Sequence, residues 1–234
     1  MDVLRAVLID LDGTLMDTAP DLAEAANRMR TEFNLEALSV ERIAQFVGKG
    51  ADVLVHRVLT DRLDGEVDDA TFARGRAAFA RHYHATNGLD TIVFDRVPQA
   101  LDLLRARDLK LACVTNKPRE FTLPLLARLQ LAPRFDTVIA GDDVQAKKPH
   151  PDLLLAACRQ LGVAPTQARM IGDSVNDALA AQAAGMRVIL VATGYNEGGN
   201  VAELADFPGV DAIVESLLDA AMLLVESQHK DSMH

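Results

Sequence analysis

A chain of 234 residues, 49% hydrophobic and 25% charged, can bury one large core or two modest ones and has the make-up of an ordinary soluble globular protein. Its formal charge of −10 disfavours a nucleic-acid partner, which needs a cationic face, but leaves room for small anionic substrates in a cleft whose local donors and metal reverse the potential. No apolar run is long enough to span a membrane, no signal-peptide pattern opens the chain, and Cys113 and Cys158 sit in apolar surroundings without a CxxC pair, so buried free thiols in a reducing cytoplasm are expected.

Residues 5–10 read as a short buried strand that runs straight into polar turn chemistry. From 18 to about 87 the pattern turns helical. Leu22, Ala25, Ala26, Met29 and Phe33 follow helical spacing, with Asp17 or Thr18 available as an N-cap. Ile43, Phe46 and Val47 predict a second helix stopped by Gly48-Lys49-Gly50. Leu54, Val55, Val58 and Leu59 predict a third, and Phe72, Ala73, Phe79, Ala80 and Tyr83 a fourth.

Strand–helix alternation follows. Strands are expected at 111–115, 137–140, 168–172 and 187–191, and helices around 97–107, 120–129, 151–161, 176–184 and 216–225. Such alternation predicts a parallel sheet covered by helices on both faces. The first strand is expected to join that sheet, which makes the helical block an insertion, and the last residues, 228–234, are expected to fray.

Open parallel sheets build their sites outside the carboxyl ends of the strands. The polar residues cluster at those ends: Asp10 and Asp12, Thr115 and Asn116, Asp173 and Asp177, with Lys148 in the loop after the strand at 137–140. Two carboxylates spaced as in Asp10-Leu11-Asp12 point to one side of an extended backbone. Gly13 permits a sharp exit, and Thr14 offers a hydroxyl and an N–H to an anion. A calcium loop is excluded, because Leu15 stands at its sixth position, where Gly is needed, and Asp21 at its twelfth, where Glu is needed. Thr115 and Asn116 offer a hydroxyl and an amide to phosphoryl oxygens, Lys148 a cation, and Asp173 and Asp177 hard oxygen ligands that suit Mg²⁺ better than zinc or copper. Taken singly, these segments also read as an Asp-Gly turn, a helix cap with Pro118 near its first turn, a solvated basic turn and a cap on the following helix. A serine-hydrolase elbow fails, since Asn176 replaces the required Gly and the only downstream histidines are His229 and His234; a P-loop pattern is absent.

Together, Asp10-Leu11-Asp12-Gly13-Thr14, Thr115-Asn116, Lys148-Pro149 and Gly172-Asp173-Ser174-x-Asn176-Asp177 resemble, in residues and in order, the haloacid dehalogenase superfamily. Asp17-Thr18-Ala19-Pro20-Asp21-Leu22, Val114-Thr115-Asn116-Lys117-Pro118, Lys148-Pro149-His150-Pro151 and Thr193-Gly194-Tyr195-Asn196 are most similar to its bacterial phosphoglycolate phosphatase group. The resemblance implies a Rossmann-like α/β core over residues 1–17 and 88–234, with a small α-helical cap domain over 18–87. It implies Asp10 as nucleophile through an aspartyl-phosphate and Asp12 as general acid and base. Mg²⁺ is implied on Asp10, the Asp12 carbonyl and Asp173, with Asp177 nearby. Thr115, Asn116 and Lys148 are implied to hold the transferring group. Relatives that release halide lack an acid at the Asp12 position, so its presence implies phosphoester chemistry.

Phe94-Asp95-Arg96-Val97 departs from the family, standing where relatives often have a Pro-Gly turn at the return to the core. Between the glycines of Gly48-Lys49-Gly50, Lys49 is a candidate contact for a substrate carboxylate; the alternative is an exposed turn. The expected partner is a small phosphorylated metabolite, not nucleic acid or membrane, for a monomer or homodimer. A phosphatase for another phosphomonoester, a sugar-phosphate mutase of the same superfamily and an inactive phosphate-binding module are the alternatives.

Overall fold

The computed structural model describes residues 3–231, with side chains through residue 227. Six strands form one sheet: β1 (Ala6–Ile9), β4 (Lys110–Val114), β5 (Thr137–Ile139), β6 (Ala168–Gly172), β7 (Arg187–Val191) and β8 (Val210–Val214). Their order is β5-β4-β1-β6-β7-β8, and every neighbouring pair is parallel. β1 therefore sits near the middle of the sheet, and the order reverses across it. Such a switch point opens a crevice at the strands' carboxyl ends.

All four β1 residues are buried, and they alternate between two cores. Val7 and Ile9 face the core built with α5 (Val97–Arg105), α6 (Arg119–Arg128) and α9 (Leu217–Asp231); Ala6 and Leu8 face the core built with α7 (Asp152–Leu161) and α8 (Val175–Ala183). Burial on both faces explains why the central strands are continuous apolar runs. Each buried Val, Leu or Ile among them contributes roughly 1.5–3 kcal/mol.

The helical segment has a third core. α1 (Ala19–Glu32), α2 (Val40–Ala44), α3 (Ala51–Thr60) and α4 (Asp69–Thr86) pack around Met29, Phe46, Val55, Val58 and Phe79, with Phe121 of α6 joining from the α/β part. A two-stranded antiparallel ribbon, β2 (Met16–Asp17) with β3 (Ile92–Val93), pairs the outgoing and returning chains at its base. Asp21 organises the return: its wholly buried carboxylate accepts the N–H groups of Gly88, Asp90 and Thr91 at 2.8, 2.8 and 3.0 Å.

Several local expectations are corrected. α2 ends at Ala44; Phe46 and Val47 continue in a tight turn through bonds to the carbonyls of Ile43 and Ala44. Of the two expected caps for α1, Thr18 occupies the position before the helix without a side-chain cap bond, while Asp17 Oδ1 accepts the Ala19 N–H at 3.0 Å as expected. α9 runs on through Asp231 where fraying is expected from residue 228; residues 232–234 lie outside the described residues. β8, half-buried and interrupted by Asp211, and the two-residue strands of the ribbon are not expected from the sequence. Arg96, in the segment expected to depart from the family pattern, adopts a left-handed conformation at φ 60° immediately before α5. Cys113 and Cys158 are buried and free, and among the described residues no helix is long and apolar enough to cross a membrane.

Candidate active site

A cleft opens at the carboxyl ends of β1, β4 and β6. Its core-side lining includes Asp10, Asp12, Thr115, Asn116, Lys117, Lys148 and Asp173; Leu22, Val47, Gly48, Gly50, Leu54, Phe79 and Tyr83 line it from the helical segment.

Two buried lysines divide the acids. Lys148, on the loop after β5, places its ammonium 2.8 Å from Asp10 Oδ1, 2.7 Å from Asp177 Oδ1 and 3.1 Å from the Val114 carbonyl, so all three of its N–H donors are engaged. Lys117, three residues past β4, places its ammonium 2.7 Å from Asp12 Oδ1, which also accepts the Thr18 hydroxyl at 2.5 Å. Burial alone would lower both lysines. Asp10 and Asp177 outweigh it at Lys148, and Asp12 outweighs it at Lys117, so both ammoniums are held above their ordinary range.

One oxygen from each of Asp10, Asp173 and Asp177 lies within 4.8 Å of the others, and all three residues are buried. Burial pushes Asp10 well above the usual carboxylate range against the pull of Lys148, while Asp177 and Asp173 push it further. Burial, reinforced by Asp177, pushes Asp173 up to about 7. Three crowded carboxylates with one lysine among them carry excess negative charge, and their all-oxygen donor set fits a hard divalent cation. Asp173 is fixed by the Thr14 hydroxyl at 3.0 Å and the Tyr195 N–H at 3.0 Å. The approach is close because Gly13 and Gly194 present no side chain: a Cβ would fall 2.6 Å and 1.8 Å from Asp173 Oδ2. Asp177 caps α8 as well, accepting the Ser174 hydroxyl at 2.7 Å.

The sequence-derived residues therefore separate. Asp10, Asp12, Thr115, Lys148 and Asp173 converge on the cleft, with Asp177 behind them. Thr14 is directed elsewhere, because its hydroxyl satisfies a buried Asp173 oxygen. The Asn116 amide, expected on phosphoryl oxygens, donates to the carbonyls of Gly48 and Lys148 at 2.8 and 2.9 Å and accepts the Lys148 N–H at 2.8 Å. Lys49 is half-exposed, 3.4 Å from Glu197, and is not brought to the cleft wall. Sequence reasoning missed Lys117, Tyr83, Asn176 and Tyr195 as cleft residues. Lys117 and Tyr195 stand inside quoted motifs, where a strand-end position was the one available signal.

A family model for haloacid dehalogenase-like hydrolases matches residues 7–191. A phosphoglycolate phosphatase of Nitrosospira multiformis is 47% identical over 96% of this chain and 97% of its own length. One from Escherichia coli K12 is 40% identical over 98% and 96%. Among solved structures, a predicted phosphoglycolate phosphatase from Haemophilus somnus superimposes with a TM-score of 0.86 at 30% identity, covering 95% of this chain and 99% of that one. Matched by the family model over most of its length and similar end to end to phosphatases, this chain belongs to the haloacid dehalogenase-like hydrolases as a phosphatase.

Proposed function

We propose that the protein hydrolyses a small phosphomonoester, 2-phosphoglycolate, to glycolate and phosphate through an aspartyl-phosphate on Asp10. The observation that carries the reading is the pairing of two neighbouring acids with separate buried lysines: Asp10 with Lys148 and Asp12 with Lys117. One carboxylate is thereby held against the cation of the acid cluster, and the other faces the cleft apart from it. The names of the full-length relatives support the substrate.

An Asp10 oxygen attacks phosphorus, the phosphorus–oxygen ester bond breaks, and the departing alkoxide takes a proton from Asp12. Asp12 then removes a proton from water, whose oxygen attacks the same phosphorus; phosphate leaves and the Asp10 carboxylate is restored. Lys148 offsets negative charge on Asp10 throughout, and Thr115 lends its hydroxyl to the transferring oxygens. Asp10, the Asp12 carbonyl and Asp173 would hold Mg²⁺, with Asp177 steering from behind. Once bound, the ion lowers the repulsion between an anionic nucleophile and an anionic phosphate. Residues 18–87 act as a cap that keeps excess water from the cleft, and the buried free thiols suit a cytoplasmic enzyme.

Asp10→Asn is expected to lower phosphate release from an aryl phosphate by at least ~10⁴-fold. Turnover at the wild-type rate would remove Asp10 as nucleophile. A Mg²⁺-supplemented screen of small phosphorylated metabolites is expected to rank phosphoglycolate first. A clear preference elsewhere removes the substrate and keeps the mechanism, and isomer formation in place of phosphate release would assign a mutase.

A further inference from the structure

Lys117 has no part in the chemistry of Asp10, yet its ammonium is one of two buried cations in the cleft. The two are not equivalent. Lys148 has its three donors on Asp10, Asp177 and the Val114 carbonyl, leaving none for a ligand. Lys117 has one donor on Asp12 Oδ1 and sits 5.2 Å from the centre of the Tyr83 ring.

Tyr83 reaches the cleft from α4. Burial pushes its phenol up to about 12, although the Lys117 ammonium opposes that shift. Its hydroxyl is buried beside the Lys117 ammonium without making a hydrogen bond of good geometry to it. Such an orphan costs roughly 1–3 kcal/mol unless a ligand satisfies it. Around the pair stand Leu22, Leu54, Phe79 and Phe121, which exclude water and strengthen any charge–charge contact made there.

From this geometry we infer that Lys117 and the Tyr83 hydroxyl form the subsite for a second anionic group of the substrate, a carboxylate beside the transferring phosphate. Lys117 is thus a specificity-determining residue. Asp10, Asp12 and Asp173 line the cleft with Asp177 behind them, so a further carboxylate is repelled unless a cation with a free donor meets it. Lys148 has none, and Lys49 faces Glu197. A neutral substrate group of the same size gains nothing from the ammonium. The carboxylate also reaches both parts of the molecule at once, Lys117 from the core and Tyr83 from the helical segment. The inference rests on the reading of a carboxylated phosphomonoester as substrate.

The test compares two substrates that differ in one group, 2-phosphoglycolate and 2-hydroxyethyl phosphate. In Lys117→Met, kcat/KM for phosphoglycolate is expected to fall about 100-fold or more further than that for hydroxyethyl phosphate, as for removal of one partner of a buried charge pair. Tyr83→Phe keeps the ring and is expected to raise KM for phosphoglycolate about 5- to 10-fold relative to the same control, with kcat little changed. Equal losses on both substrates in both variants, while the wild type still favours phosphoglycolate, would make Lys117 only a companion of Asp12 and overturn the inference. A selective loss in Lys49→Ala with none in Lys117→Met would overturn it too. Conversely, a wild type that prefers a different carboxylated phosphomonoester, a preference that Lys117→Met abolishes, would remove phosphoglycolate and uphold the subsite.

Discussion

The α/β core and the helical segment face each other across one cleft and contribute opposite materials to it. From the core come three aspartates, two lysines and the Thr115 hydroxyl, gathered beyond the strand ends; from residues 18–87 come Leu22, Val47, Leu54, Phe79, two glycines and a single orphaned hydroxyl. Charge needs a rigid mount, because a misplaced buried carboxylate is expensive, and a central parallel sheet supplies one. An apolar wall needs only to be dry and close. The division places the charged groups in the core and the apolar wall in the helical segment, and four changes would break or sharpen it.

The largest effect is expected in the core. Lys148→Met leaves three crowded carboxylates without their lysine, and should cost about 3–5 kcal/mol of stability in the metal-free protein together with nearly all phosphate release. Thermal unfolding with and without Mg²⁺ checks this. The ion is expected to recover stability and not turnover; full turnover would show that the core charges are not mounted for catalysis.

On the other side, Leu54→Ala opens a buried position shared by the third core and the cleft wall. It is expected to cost about 2–4 kcal/mol by denaturant unfolding, while wild-type stability would mean that the helical segment lacks a core of its own.

Next comes pH. Asp173 is raised to about 7 from an unfolded value near 3.9. A carboxyl raised on folding stabilises fully below its unfolded pKa and loses that contribution as pH rises through its folded pKa. The metal-free protein is therefore expected to lose stability between about pH 4 and 7, and Mg²⁺ to raise Tm more at pH 8 than at pH 5. A Mg²⁺ shift independent of pH would separate Asp173 from the cation.

The smallest effect lies at the junction of the two regions. Arg96 holds φ 60°, where a glycine meets no Cβ penalty. Arg96→Gly is expected to change stability by less than about 1 kcal/mol, upward, because relief of the left-handed strain exceeds the entropy of a freer unfolded chain. A fall in Tm would show that the arginine side chain contributes more than its backbone strain removes.

The same division governs what could be read from the chain in advance. The core was legible because buried parallel strands are apolar runs that stop abruptly at Asp10, Thr115 and Asp173, so position along the chain and position in the site coincide. β8 escaped because it is a half-buried edge strand interrupted by Asp211. Within the site, the reading failed where a polar group had a protein partner distant in sequence. Thr14 answers Asp173 across 159 positions, and Lys117 answers Asp12 across 105. Neither pairing leaves a local trace, because each is dictated by the need to satisfy a polar group that only the finished fold buries. In the helical segment, Tyr83 reads as one more apolar position on a helix face, and its hydroxyl becomes informative only when its surroundings are known.

Asn116 ties the two regions together, since one amide donates to the Gly48 carbonyl on the helical side and to the Lys148 carbonyl on the core side. Seen as an assembly problem, that amide is a docking standard. A chimera in which residues 18–87 are exchanged for another helical module has to present a backbone carbonyl where Gly48 presents one. A module that does so inherits a braced lysine loop, and one that does not leaves an unmet Asn116 donor beside Lys148. The Gly48 carbonyl is thus a backbone requirement on any replacement for the helical segment, one that the choice of side chain there does not meet.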